Sequence, residues 1–157
     1  MKLATILLLA LASFPASADF TGRVVGVLDG DTIDVLDSAR ATHRVRLAGI
    51  DAPEKNQPYG QVAKKALSAL VFKQQVLVET EKTDRYGRVL GKVSVNGIDA
   101  NLVLVSQGLA WHFKRYQNEQ PLADRLEYSR AETAAKEAKL GLWAGNDPVA
   151  PWDWRKR

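Results

Sequence analysis

An α+β fold is what this sequence predicts, on three observations: five short strand-like runs bounded by turn dipeptides, a helical stretch after the third run, and a helix-rich segment after the fifth. That order fits a small five-stranded Greek-key barrel of the OB type with three α-helices packed on it.

Residues 21–28 form a β-rich run that ends at the hairpin dipeptide Asp29-Gly30, and residues 32–36 resume the alternation with Ile33 and Val35 on one face. The third run is residues 42–50, where Val45, Leu47 and Gly49 point one way and Arg44, Arg46 and Ala48 the other. From residue 59 to 72 the period becomes helical, with Val62, Ala66, Leu67, Leu70 and Val71 on one stripe. Residues 75–81 and 88–95 are two further strands joined by a turn at 84–87, and Asn96-Gly97 marks another turn.

Asp99 suits the N-cap of a short helix that ends near Gln107-Gly108, where glycine can take the left-handed position. Residues 122–139 form a third helix, with Tyr128, Ala131, Ala135, Ala138 and Leu142 at 3/4 spacing and Gly141 as its stop. Residues 144–157 are rich in Gly, Pro, Asp and Trp, and are expected to lack regular structure.

Met1-Lys2-Leu3 followed by an apolar run to Ala12 has the pattern of a secretory leader, and Ala16-Ser17-Ala18 is an A-x-A cleavage site. The expected organisation is therefore a signal peptide over residues 1–18, one domain over 19–143 and a tail over 144–157, with the mature chain starting at Asp19 and secreted or periplasmic. The apolar run is shorter than the ~20 residues needed to span a bilayer, so no stable membrane association is expected after cleavage. No cysteine is present, so stability has to come from a packed core rather than disulfides.

The chain carries 22 Lys and Arg against 18 Asp and Glu. Lys2 leaves with the leader, and Arg155, Lys156 and Arg157 account for the surplus that remains. The body is near neutral, so any attraction for phosphate must be local rather than a broad basic face.

The chemistry is concentrated in Asp29-Gly30-Asp31-Thr32, Arg46, Asp51-Ala52-Pro53-Glu54 and Asp84-Arg85-Tyr86-Gly87-Arg88. Asp31 and Asp51 sit at the mouths of two strand turns, where together they would make an oxygen-rich pocket for Ca²⁺ or another hard cation. Each alone would more often be a turn or cap residue. Arg46 falls on an outward or groove-facing side of its strand, where an arginine is more often a solvated surface charge than a phosphate clamp, and Arg88 leaves a tight turn, a rigid platform for bidentate phosphate contacts.

These residues, in this order and spacing, resemble the staphylococcal nuclease (thermonuclease) family, and the similarity covers residues 21–143. The resemblance implies a closed OB barrel with three helices, a Ca²⁺ site of Asp31, Asp51 and the backbone carbonyl of Ala52, and a catalytic set of Arg46, Glu54 and Arg88. It implies that Glu54 orients or deprotonates the attacking water, and that DNA and RNA are cleaved to 3′-phosphates with a preference for unpaired strands, by a monomer. Arg85, Tyr86 and Tyr116 match positions around the bound nucleotide. The chain departs from the best-known member at Ala52, where that protein has threonine, at Arg85 for a lysine and at Lys114 for a tyrosine. Residues 55–58 form a shorter loop.

His43 and His112 have no partner at ligand spacing and read as surface or packing residues, and Trp111 and Trp143 as core. Trp152 and Trp154 in the basic tail are candidate contacts to nucleic acid or an anionic surface. Two other readings remain open: a silent OB module that binds nucleic acid or protein, which would be expected to lack part of the set, and a nuclease with a narrow DNA target.

Overall fold

The computed structural model describes residues 18–157, so the expected leader, all but its last residue, lies outside the described residues. The elements run β1 (Phe20–Val27), β2 (Thr32–Asp37), β3 (Thr42–Leu47), β4 (Ile50–Asp51), α1 (Gly60–Val71), β5 (Gln75–Thr83), β6 (Val89–Val95), β7 (Ile98–Asp99), α2 (Ala100–Ser106), β8 (Trp111–His112), α3 (Leu122–Glu137) and α4 (Pro151–Trp154). Two short 3₁₀ turns with a kink at Tyr116 cover Lys114–Glu119, and one more covers Gly141–Ala144.

Strands β3, β2, β1, β5 and β6 lie side by side in antiparallel pairs, and β3 then meets β6 in parallel, with Val45 opposite Val89 and Leu47 opposite Gly91. That last pairing closes the five-stranded barrel, as expected of an OB fold. Asn101, fully buried at the start of α2, staples the seam: its Nδ2 donates to the Ala48 carbonyl at 2.9 Å and its Oδ1 accepts from the Val93 N–H at 3.1 Å.

Alternation along the strands fills the barrel. Val24, Ile33, Val35, Val45, Leu47, Val78 and Val93 are wholly buried, and α1 and α2 cap them with Leu67, Val71 and Leu104. Each such side chain contributes roughly 1.5–3 kcal/mol of burial free energy, the term a chain without disulfides depends on.

Four expectations change in detail. The run 42–50 is not one strand: Gly49, at φ +72°, turns the chain between β3 and β4, and a Cβ there would lie 2.0 Å from Gln120 Nε2. The turn aims β4 at β8, with Asp51 opposite Trp111. On α1 the buried stripe is Gly60, Ala63, Leu67 and Val71, while Val62 is half exposed. On α3 the third buried position beside Tyr128 and Ala135 is Glu132, and Ala138 is exposed. Finally, residues 144–157 are not irregular throughout, because Pro151–Trp154 form the helical turn α4 with Pro151 buried. Ala150 and Pro151 pack inward, and proline suits the first helical position.

Candidate active site

The sequence-predicted residues Asp31, Arg46, Asp51, Ala52, Glu54, Arg85, Tyr86, Arg88 and Tyr116 all line one cleft beside the β3–β6 seam, with a volume of about 1280 Å³. Small-molecule pockets are ~300–1,000 Å³, so the cleft has room for a polymer segment.

Two loops build its floor. After β1 the chain turns at Asp29, whose Oδ1 accepts the Asp31 N–H at 3.0 Å. Gly30 is needed there for close approach, since a Cβ would stand 2.8 Å from both the Ala52 and Ala63 methyls. This contact presses the Asp31 loop onto the Asp51 loop, and the Asp31 Oδ2 accepts the Ala52 N–H at 2.7 Å. The Asx turn and the small residue are both legible in Asp29-Gly30-Asp31; the contact across to Ala52 is not.

Arg46 reaches from β3 across both loops. Its Nη2 donates to Asp51 Oδ1 at 2.7 Å and lies 3.3 Å from Asp31 Oδ2, so the two carboxylates converge on one nitrogen. Its Nη1 donates to the Ile50 carbonyl at 3.0 Å and the Leu47 carbonyl at 3.3 Å, which braces the Gly49 turn. Burial works against the charge on Arg46, but the Asp31 and Asp51 carboxylates outweigh it and hold the guanidinium above its ordinary pKa. Burial also raises the Asp51 carboxyl, against the Arg155 hydrogen bonds and the charge of Arg46. Asp29 is raised by burial and by the negative charge of Asp31.

Arg88 stands on the opposite wall, one residue before β6 pairs with β3. Its Nε donates to Asp84 Oδ2 at 2.8 Å, and its backbone N–H to Asp84 Oδ1 at 2.9 Å. Against the cost of burial, the Arg88 contacts bring Asp84 below its ordinary value. Tyr86 is the most exposed aromatic of the cleft at 68 %. The Arg85 and Arg88 guanidiniums lie 4.8 and 5.5 Å from its ring centre, and Tyr116 projects from the other side, 47 % exposed.

Sequence reasoning missed Arg155. From the end of α4 its Nη2 donates to Asp51 Oδ2 at 2.8 Å and its Nη1 to Glu54 Oε1 at 2.6 Å. These contacts hold its pKa above the ordinary arginine value. The only signal was the basic end of the chain, 104 residues from Asp51. Trp152 also enters the cleft, stacked on Phe113 with ring centres 5.4 Å apart.

His112 and Glu132 form a second buried pair behind the wall. The Glu132 Oε1 accepts the His112 N–H at 3.1 Å, and its carboxylate is paired with Lys114 and Lys136. His112 Nε2 lies 2.9 Å from Gln120 Oε1 and burial lowers its pKa, so it packs as a neutral ring. His43 lies near the surface, 2.7 Å from Asp37 Oδ2. Trp111 and Trp143 meet edge to face at 4.4 Å, as packing residues.

A divalent ion is compatible with the donor set. Asp31 and Asp51 offer hard oxygens, and among the described residues no group of three or more His, Cys, Asp or Glu forms a metal cage. Such an ion would draw its other ligands from a backbone carbonyl, water and substrate, oxygen donors that a hard divalent cation accepts.

A family model described as "Staphylococcal nuclease homologue" matches residues 44–145. An Escherichia coli protein described as an uncharacterized endonuclease is 44 % identical over 153 residues, covering 96 % of this chain and 95 % of its own length. A Shigella flexneri protein named micrococcal nuclease is 43 % identical over 155 residues, covering 93 % and 86 %. An Arabidopsis thaliana staphylococcal-like nuclease is 42 % identical over 115 residues, 72 % of this chain but 33 % of that protein.

Proposed function

The chain belongs to the staphylococcal nuclease homologue family and is a hydrolase acting on nucleic acids, and from that premise we propose that it is an exported, calcium-dependent, sugar-nonspecific endonuclease that leaves 3′-phosphates. The observation that carries this reading is the convergence of Asp31 and Asp51 on Arg46 Nη2, with Glu54 on the same rim.

In this reading Asp31, Asp51 and the carbonyl of Ala52 hold the cation; Ala52 contributes no side-chain donor, so alanine serves as well as threonine. A cation held by them would supply Lewis-acid chemistry, neutralising charge on a phosphate oxygen and lowering the pKa of a bound water. Glu54, 37 % exposed, is the residue that orients the water or takes its proton in this reading. The water oxygen attacks phosphorus, the bond to the 5′-oxygen breaks, and that oxygen leaves with a proton while phosphate stays on the 3′ side.

Arg46 and Arg88 oppose the charge that grows on the equatorial oxygens, acting from the two walls of the cleft. Arg85, Tyr86 and Tyr116 contact the flanking nucleotides, and exposed rings favour unpaired bases because a stacked duplex hides their faces. DNA and RNA are both substrates, since sugar hydroxyls have no role in the chemistry, and the protein acts as a monomer. The leader at residues 1–18 supports export to the periplasm or medium. No described helix is long and apolar enough to cross a membrane.

The test is a digest of end-labelled oligonucleotides, single-stranded and duplex, with Ca²⁺. Faster loss of the single strand and product ends removable by a 3′-phosphatase are expected; 3′-hydroxyl ends overturn the proposed bond specificity.

A further inference from the structure

The C-terminal turn is docked rather than loose. Gln57 Nε2 donates to the Val149 carbonyl at 2.5 Å, Pro151 is buried, Trp152 stacks on Phe113 and meets Trp111 edge-on at 5.5 Å, and Trp154 Nε1 donates to Asn56 Oδ1 at 3.3 Å. This docking delivers Arg155 to the carboxylates. Asp51, 1 % exposed, thereby meets two guanidiniums: Arg46 on Oδ1 at 2.7 Å, and Arg155 on Oδ2 at 2.8 Å with its Nη1 also 3.3 Å from Oδ1. Arg155 also holds Glu54.

The two arginines have different attachments. Arg46 is tied to backbone carbonyls and is 15 % exposed, whereas Arg155 is 44 % exposed and its contacts within the cluster are to carboxylates alone. A divalent ion bonded to Asp31 and Asp51 at the 2.3–2.6 Å typical of calcium would stand within a few ångströms of the Arg155 guanidinium. Like charges at that range repel strongly in a half-buried cleft. Arg155 is the partner that can swing away, on a side chain that reaches solvent.

We propose that Arg155 is an internal cation of the carboxylate cluster, displaced when a divalent ion enters at Asp31 and Asp51, so that the C-terminal turn sets the affinity for the metal. The inference rests on the reading that this cluster binds calcium. By linkage, the ion must loosen the turn as much as Arg155 weakens the ion.

Calcium binding to the mature chain is measured by titration calorimetry for the unmodified protein, Arg155→Gln and, as a charge control on the same turn, Arg157→Gln. Arg155→Gln is expected to tighten the dissociation constant by on the order of 5–150-fold, the usual span of coupling between sites, and Arg157→Gln to leave it near the unmodified value. Hydrogen exchange at the backbone amides of residues 153–157 is expected to quicken on adding Ca²⁺ in the unmodified protein and to be insensitive to Ca²⁺ in Arg155→Gln. Binding that is equal in the three proteins, or weaker in Arg155→Gln, overturns this inference and leaves the nuclease reading standing. Absence of binding in all three overturns this inference and the calcium-dependent reading together.

Discussion

The Arg46 guanidinium stands 2.7 Å from the Asp51 carboxylate, with 15 % and 1 % of the two side chains exposed. The groove-side orientation expected of Arg46 is present, but the residue also braces the loops that carry the carboxylates. Two separate losses therefore follow from removing it.

Arg46→Ala is expected to lower turnover by about 10²–10³-fold, the ~3–4 kcal/mol associated with an oxyanion donor. It should also lower the unfolding midpoint, because breaking a buried pair costs ~3–5 kcal/mol. Arg88→Ala should show a similar fall in turnover with a smaller change in midpoint, since its pair with Asp84 is only partly buried, at 30 % and 17 % exposed. Rates and thermal melts of both variants check this; near-normal turnover in either removes that residue from the site.

Glu132 links stability to acid. Although burial opposes it, the Lys114 and Lys136 hydrogen bonds hold its carboxyl below the ordinary value. Its stabilisation is thus present above the unfolded value near 4.5 and is lost as pH falls through the lowered folded value. Glu132→Gln should flatten the melting curve across that acid window. Glu132→Ala should cost a further ~1–3 kcal/mol at neutral pH, from the buried His112 N–H left without an acceptor.

His112 acts in a separate window. Its folded pKa lies below 6.5 because burial disfavours the charged ring, so the unfolded chain takes up a proton that the folded chain resists. Stability is then complete above pH 6.5 and declines as pH falls below it. The midpoint of the unmodified protein should drop more between pH 8 and 5.5 than that of His112→Asn; parallel curves for the two would remove His112 as the source.

Gly30→Ala tests the contact between the carboxylate loops. The added methyl would meet Ala52 and Ala63 at 2.8 Å, and overpacking of that kind costs ~1–3 kcal/mol. Because the displaced segment carries Asp31, the metal requirement for half-maximal activity should rise along with the loss of stability. A variant with unchanged melting and unchanged calcium titration would show that the loops tolerate separation.

What the sequence made legible was whatever depends on near neighbours. Ile33 and Val35 alternate with polar residues and enter the barrel; Asp99 accepts the Leu102 N–H at 3.0 Å as the cap of α2. Gly108 takes the positive φ expected at that helix's end. The cleft residues were legible because their types and spacings match a family pattern, not because alternation alone separates a clamp from a surface charge. Contacts made across the fold were not legible. Nothing local marks Asn101 as the seam staple or Glu132 as buried, since a polar residue on an amphipathic helix ordinarily faces water. Ala63 took the buried place given to Val62 because α1 approaches Gly30 too closely for a larger side chain. In sequence the basic end of the chain offers its cations to a partner, whereas in the fold Arg155 finds anions within the molecule, at Asp51 and Glu54.

Phosphodiester cleavage, as proposed, depends on a hard cation held by Asp31 and Asp51. Its most direct measurement is the initial rate of hydrolysis of heat-denatured DNA by the mature protein in Ca²⁺, in Mg²⁺ alone and in excess chelator. Rapid hydrolysis in Ca²⁺, little in Mg²⁺ alone, and loss in chelator that is restored by adding Ca²⁺ back are expected; full activity in excess chelator would show that no such cation is needed.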